Sequence, residues 1–110
     1  MAIRELKTKS DLEEFLNEPG PQVVVIDCYA VWCGPCKVIG PKFEALVKDV
    51  FSGRIRGAKI DVDEAEDLAQ EFGIKAMPTF KIFKDKKPIA EVVGAAEAKL
   101  RSAIEKALDE

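Results

Sequence analysis

The sequence contains no histidine, a single tryptophan, a single tyrosine and only three cysteines. Zinc in proteins takes four nitrogen, sulfur or oxygen ligands, and this chain lacks the imidazole nitrogens and has only three cysteine sulfurs for such a site. Its formal net charge of −3 gives no reason to expect nucleic acid or an anionic membrane as a main partner. No apolar run approaches the length of a membrane span. These absences disfavour metal, nucleic-acid and membrane functions.

Features of a secreted protein are also missing. Residues 1–6 lack the charged and apolar regions of a secretory signal. Three cysteines without a signal argue against a disulfide-stapled secreted scaffold and for a reducing compartment. We therefore expect a cytoplasmic protein, although a mature organellar form from which a leader had been removed would look the same.

The 110 residues, of which 47% are hydrophobic and 34% charged, are enough for one domain with its own core. We therefore predict a single domain over residues 1–110. Apolar patterns follow the order strand, helix, strand, helix, strand, helix, strand, strand, helix. This alternation is typical of an α/β fold in which parallel strands are joined by right-handed crossovers. The last two strands lie close enough in sequence for an antiparallel hairpin.

Two helix starts are indicated by pairs of side chains with the spacing of a helix cap. Ser10 would be the first cap, with Glu13 three residues later. Asp63 would be the second, with Glu66 at the same spacing. Each of the helices that follow carries apolar residues at helical intervals, so each should bury one face.

The helix after Cys33 contains Pro41, which should kink it rather than end it. The reason is that the spacing of a buried helix face resumes beyond the proline, at Phe43, Leu46, Val47 and Val50. Nearer the C-terminus, the segment 85–88 lacks the Gly or Asn that a two-residue hairpin turn prefers. A longer loop is therefore expected between the last two strands.

Two cysteines three positions apart, Cys33 and Cys36, enclose Gly34 and Pro35. The apolar run at 22–30 is typical of a buried strand, and a helical pattern follows the cysteines. At such a bend Cys33 lies at the helix N-terminus, where unpaired N–H groups and the helix dipole favour a thiolate. Cys36 lies one turn further in and could reach back, while Pro35 stiffens the loop. The arrangement suits a dithiol that closes to a disulfide and reopens; a zinc half-site and an inert pair are the alternatives.

The segment 27–37, which contains Trp-Cys-Gly-Pro-Cys, resembles the active-site segment of thioredoxins. Segments 59–63, 77–79 and 92–94 resemble three further thioredoxin segments at matching spacing, so the resemblance covers essentially the whole chain. It implies the thioredoxin fold, a central mixed five-stranded sheet flanked by four helices. It also implies the roles that helix position gives, in which Cys33 attacks a target disulfide and Cys36 resolves the mixed disulfide.

The resemblance further implies a protein dithiol–disulfide reductant that has no bound cofactor and is recycled by thioredoxin reductase. The expected targets are peroxiredoxins, ribonucleotide reductase and methionine sulfoxide reductases. Some animal thioredoxins dimerise through a reactive cysteine just before Met-Pro; Ala76 occupies that place here, so we expect a monomer. Two alternatives stay open. One is an oxidase or isomerase of oxidative folding, against which the missing signal and the Gly-Pro spacer argue, and the other is a docking module without enzymatic activity.

Three segments are expected to form the surface that receives the target. The resemblance implies that the Trp32 indole lies beside the dithiol. The Met77–Pro78 peptide bond, directly before a predicted strand, is a candidate cis bond, and it would turn the Met77 backbone outward to pair with an extended substrate. The third wall should consist of Val93, Gly94 and Ala95. Gly94 would allow a foreign backbone to approach closely.

Asp27 lies in the apolar strand before the dithiol, where burial should raise the pKa of its carboxyl. We expect Asp27 to accept the Cys36 proton, by way of a water; a carboxyl kept for fold reasons alone is the alternative. The resemblance implies that Lys59 on the neighbouring strand modulates Asp27. Because side chains alternate along a strand, Cys28 should face the opposite side of the sheet and belong to the core.

Overall fold

A computed structural model describes residues 3–110 of the chain. Five strands and four α-helices alternate along it, and a π-helical turn extends the second helix. The elements are β1 (Arg4–Glu5), α1 (Lys9–Asn17), β2 (Val23–Tyr29), α2 (Gly34–Ala45), the π-helical turn (Leu46–Val50), β3 (Ile55–Asp61), α3 (Glu66–Phe72), β4 (Thr79–Lys84), β5 (Lys87–Val93) and α4 (Glu97–Asp109). The predicted α/β class and order of elements are confirmed.

The five strands form one mixed sheet in the order β1-β3-β2-β4-β5. The apolar strand β2 lies at its centre, parallel to β3 and antiparallel to β4, as its run of branched residues favours. β1 pairs in parallel with β3, and β5 pairs with β4 as the predicted hairpin. The register sets Lys59 of β3 on one side of Asp27 and Phe80 of β4 on the other.

Apolar layers cover both faces of this sheet. The layer under α2 and α4 includes Phe43, which is fully buried. The layer under α1 and α3 includes Phe15 and also Cys28. Asp27 opens instead onto a cavity beside α2. Adjacent residues of β2 therefore face opposite sides of the sheet, which confirms the predicted placement of Cys28 in the core.

The predicted helix caps are both wrong. α1 is capped by Thr8, whose hydroxyl accepts from the backbone N–H of Asp11 at 3.0 Å, while the Asp11 carboxylate accepts from the N–H of Thr8 at 3.1 Å. The backbone N–H groups of Lys7 and Thr8, which both donate to this carboxylate, lower the pKa of Asp11. α3 has no side-chain cap; in the turn before it, Asp61 accepts from the N–H of Asp63 at 3.0 Å. The cap of α1 is thus supplied by a residue two positions before Ser10, and α3 begins without one.

The expected burial of Val50 is also wrong, whereas the helix does continue past Pro41. In the π-helical turn the N–H of Phe51 donates to the carbonyl oxygen of Leu46 at 2.8 Å, five residues back. This turn holds one more residue than an α-helical turn. The extra residue rotates the following side chains about the helix axis, so that Val50 is 43% exposed and Phe51, in the core, is 3% exposed.

The hairpin between β4 and β5 is tighter than expected. Asp85 and Lys86 alone connect the strands, with φ of 53° and 70°, and positive φ at both central residues is the signature of a primed two-residue turn. β5 accordingly begins at Lys87, and a register shift leaves Ile89 as an extra residue opposite the β4 strand. Aspartate tolerates the left-handed region better than most residues, which lets this turn form without Gly or Asn.

Candidate active site

The disulfide between Cys33 and Cys36 lies at the start of α2, at the carboxyl end of β2. Cys33 is the N-cap of the helix, and its sulfur accepts from the backbone N–H of Cys36 at 3.2 Å. Gly34 and Pro35 occupy the first helical positions, where a proline costs no helix hydrogen bond. The Cα atoms of the two cysteines are 5.3 Å apart, within the ordinary range for a disulfide.

The two cysteines are about equally buried in this disulfide form. Cys33 is 4% exposed and Cys36 is 5% exposed. The Cys33 sulfur lies 3.7 Å from the carbonyl oxygen of Met77, and both cysteines pack with Ala30. The two sulfurs therefore differ in hydrogen bonding and not in exposure, because only the Cys33 sulfur accepts a helix N–H.

Trp32 is a surface residue here rather than part of the core. It is 66% exposed, and its indole N–H donates to the carboxylate of Asp63 at 2.9 Å. The neighbouring Val31 and, from β5, Val93 are also more than half exposed. Sequence reasoning missed Asp63 as a site residue. A signal existed, because Asp63 lies two residues past β3, whose carboxyl end lies beside that of β2 in a parallel pair.

Met77–Pro78 and the end of β5 meet beside the disulfide. The Met77–Pro78 peptide bond is cis, as predicted. The carbonyl oxygen of Pro78 accepts from the N–H of Gly94 at 2.8 Å, which fixes the two segments side by side. Gly94 has φ of 101°, and a Cβ there would meet no heavy atom within 4 Å, so the surface above it is open. Ala95 continues this exposed rim.

Behind the disulfide, a cavity of about 370 Å³ joins Cys36 to Asp27. Asp27 is 1% exposed, and both of its carboxyl oxygens lack a hydrogen-bond partner among residues 3–110. Burial raises the pKa of Asp27 to about 7; the positive charge of Lys59 opposes this rise, and Glu5 and Glu44 add to it. A buried carboxyl whose pKa lies near neutrality is suited to proton transfer.

Lys59 lies opposite Asp27 in the sheet register, but its ammonium is directed elsewhere. Its Nζ is 3.7 Å from Oε2 of Glu44 and 4.9 Å from the ring centre of Tyr29. Sequence reasoning missed Glu44. Its signal was the spacing of Cys36, Gly40 and Glu44, four residues apart each time, which puts all three on one face of α2.

Cys28, the third cysteine, is remote from this chemistry. It is fully buried in the apolar layer on the opposite side of the sheet. Burial raises the pKa of its thiol to about 12. Cys28 therefore stays protonated and behaves as a small apolar residue.

No group of three or more His, Cys, Asp or Glu side chains within residues 3–110 is arranged to hold a metal ion. None of the helices in that range is long and apolar enough to cross a membrane.

Comparison with known proteins identifies the family. The sequence model of the thioredoxin family matches residues 4–106. A thioredoxin of Malassezia sympodialis is 52% identical over 77% of this chain and 81% of its own length. The structure of Fasciola hepatica thioredoxin superposes with a TM-score of 0.88 at 43% identity, covering 94% of this chain and 98% of that one.

A further structure concerns the thiol resolving mechanism of yeast mitochondrial 1-Cys peroxiredoxin via glutathione and thioredoxin systems. One of its chains gives a TM-score of 0.86 at 33% identity, covering 96% of this chain and 95% of that one. All these matches include the segment that carries the disulfide at the helix start. The chain therefore belongs to the thioredoxin family, the protein disulfide oxidoreductases that work through a redox-active cysteine pair.

Proposed function

We propose that Cys33 is the nucleophile and Cys36 the resolving thiol in the reduction of protein disulfides. The observation that carries this assignment is the N–H of Cys36, which points at the Cys33 sulfur from 3.2 Å at the helix N-terminus. In the dithiol form this bond and the helix dipole stabilise negative charge on Cys33. Cys36 has no such position, so it is the thiol that reacts second.

The reaction exchanges two electrons in two steps. The Cys33 thiolate attacks one sulfur of the target disulfide, which forms a mixed disulfide and releases the other target sulfur as a thiolate. Cys36 then loses its proton and attacks the Cys33 sulfur. This step closes the Cys33–Cys36 disulfide and releases the second target thiolate. The target is thereby reduced and this chain is oxidised.

Asp27 is the proposed acceptor of the Cys36 proton. The two residues line the same cavity, which is large enough for a water to pass the proton. The unpartnered carboxyl of Asp27 and its pKa of about 7 suit a base that must both gain and lose a proton near neutral pH. Lys59 modulates this base through its charge.

The target docks across the exposed rim around the disulfide. Trp32 forms one side of that rim, and the Met77 carbonyl beside the Cys33 sulfur is available to an extended chain. Val93, Gly94 and Ala95 form the other side. Gly94 leaves open space above its backbone, so a foreign backbone can approach there.

Thioredoxin reductase is the proposed electron donor, and no bound cofactor is needed. Peroxiredoxins, ribonucleotide reductase and methionine sulfoxide reductases are the proposed target classes; the yeast structure supports the first, since it concerns the resolution of a peroxiredoxin thiol via glutathione and thioredoxin systems. We place the activity in the cytoplasm. The acting unit is a monomer with one domain over residues 1–110.

Trapping a target tests the roles of the thiols. Cys36→Ser should accumulate a mixed disulfide with oxidised insulin or peroxiredoxin, because nothing resolves it, whereas Cys33→Ser should form none. Both variants should lose insulin-reducing turnover, and Cys28→Ser, which removes a buried thiol, should keep it. Trapping by Cys33→Ser and not by Cys36→Ser would reverse the assignment. Absence of turnover in the parent chain would favour a docking role.

A further inference from the structure

One face of α2 forms a wall of the cavity that contains Asp27. Cys36, Gly40 and Glu44 follow one another along this face, and Gly40 leaves room because a Cβ there would meet no heavy atom within 4 Å. Glu44 therefore lies at the far end of the same cavity from the disulfide. It contacts neither sulfur, so any effect on the chemistry must pass through another residue.

That residue is Lys59, which lines the same cavity as the carboxyl groups of Asp27 and Glu44. Lys59 is the register partner of Asp27, yet its Nζ lies 3.7 Å from Glu44 and makes no hydrogen bond to either oxygen of Asp27. The Lys59 side chain is 23% exposed and that of Glu44 is 40% exposed. Pairing with Glu44, which is far more exposed than Asp27, thus spares the ammonium the greater desolvation cost of a fully buried ion pair.

We propose that Glu44 is a positioning residue for the proton acceptor: it draws the Lys59 ammonium away from Asp27, so that Asp27 can hold a proton at neutral pH. This proposal rests on the proposed role of Asp27. An ammonium released from Glu44 would find the unpartnered carboxylate of Asp27 within its reach. An opposite charge at about 4–6 Å strongly favours the ionised form of a carboxyl, so an Asp27 paired with Lys59 would be a poorer base.

Other charged and titratable groups also surround Asp27. From β1, Glu5 accepts a hydrogen bond from the Tyr29 hydroxyl of β2. From α2, Lys37 lines the cavity, and Lys48 pairs with the second oxygen of Glu44 at 3.5 Å. From β4, Lys81 pairs with Glu91 of β5. Lys48 is the useful comparison, because it contacts Glu44 without lining the cavity.

The test is a direct titration of the Asp27 carboxyl by carbon-13 NMR in the disulfide form. Glu44→Gln should reduce the fraction of Asp27 that is protonated at pH 7 about five-fold, because Lys59 becomes free to pair with Asp27. The acid limb of the pH profile for mixed-disulfide resolution should move to lower pH with it. Lys48→Met should leave both unchanged. Equal titrations of Asp27 in the parent and Glu44→Gln would overturn the proposal.

A double-mutant cycle separates positioning from the direct repulsion between two carboxylates. In a Lys59→Met background there is no ammonium to release, so Glu44→Gln should change the Asp27 titration by less than half as much as in the parent. An equal change in both backgrounds would mean that Glu44 acts on Asp27 only by direct repulsion between their charges, and not through Lys59. The role of Asp27 is judged separately, by the rate at which an Asp27→Asn variant reduces insulin. A rate equal to that of the parent would show that Asp27 is not the proton acceptor, but the titrations of Asp27 in the parent and in Glu44→Gln would still test the effect of Glu44 on Lys59.

Discussion

The carboxyl of Asp27 should make the folded protein less stable at neutral pH than it would be without the charge. Burial raises the pKa of Asp27 from an ordinary value of 3.8 to about 7. Because the pKa of Asp27 is higher by about three in the folded than in the unfolded protein, ionising this carboxyl costs about 4 kcal/mol more in the folded protein. Asp27 is 1% exposed, so solvent screens little of this effect.

The direction of the pH effect on stability follows from the fact that the folded protein binds the Asp27 proton more tightly than the unfolded protein does. Because the folded pKa is raised, the contribution of protonated Asp27 to stability is fully present below pH 3.8 and is lost as the pH rises through about 7. Asp27→Asn keeps the shape and removes the ionisation. We expect this variant to exceed the parent by about 2–4 kcal/mol in free energy of unfolding at pH 7, and the gain should nearly vanish at about pH 3.5.

Urea unfolding of the oxidised proteins at pH 3.5 and 7 measures this difference. Asp49→Asn, which alters an exposed carboxyl on the π-helical turn, should change stability by less than about 0.5 kcal/mol at either pH. Single-turnover reduction of insulin should be slower in Asp27→Asn, because the proposed proton acceptor is gone. An Asp27→Asn protein that is less stable than the parent at pH 7, or equally stable at both pH values, would refute the reasoning about burial.

Three glycine substitutions test the packing and backbone arguments by denaturant unfolding. Gly57→Ala should destabilise the protein by about 1–3 kcal/mol, since its Cβ would lie 2.8 Å from a methyl carbon of Val47 in the core; an unchanged midpoint would show that this layer yields easily. Gly40→Ala, in a helix with free space around it, should instead stabilise by about 0.4–1 kcal/mol, and a loss of stability would contradict the open cavity. Lys86→Gly should stabilise by about 1 kcal/mol, because φ of 70° is unfavourable for a residue with a Cβ, and a destabilised variant would mean that the turn is not of the primed type.

The dithiol and its surroundings could be predicted because their signals are local or repeat along the chain. The cysteine spacing fixed the disulfide at a helix start, and the strict alternation of β2 separated Asp27 from Cys28. Asp63 and Glu44 left weaker signals, which were a position just past β3 and a place on the Cys36 face of α2. Each reaches the site through a neighbour from another segment, Trp32 in one case and Lys59 in the other, and sequence spacing does not specify those partners.

The errors in local structure have a common physical origin, which is competition between nearly equivalent choices. Thr8 and Ser10 can both cap a helix, and the bonds made by Asp11 decide between them. The buried-face spacing at Val50 assumed 3.6 residues per turn, and one π-helical turn gave the position to Phe51. Asp85 adopts a positive φ although the turn contains neither Gly nor Asn.

The unequal edges of the sheet have a consequence for how the protein meets other chains. β1 offers two residues. β5 carries Pro88, which has no N–H to donate, and an extra residue at Ile89 that disturbs its line of peptide groups. Neither rim is a good template for a foreign strand. An extended polypeptide therefore has little backbone to pair with along either edge, so the sheet itself offers few sites that would compete with the proposed docking position beside Met77.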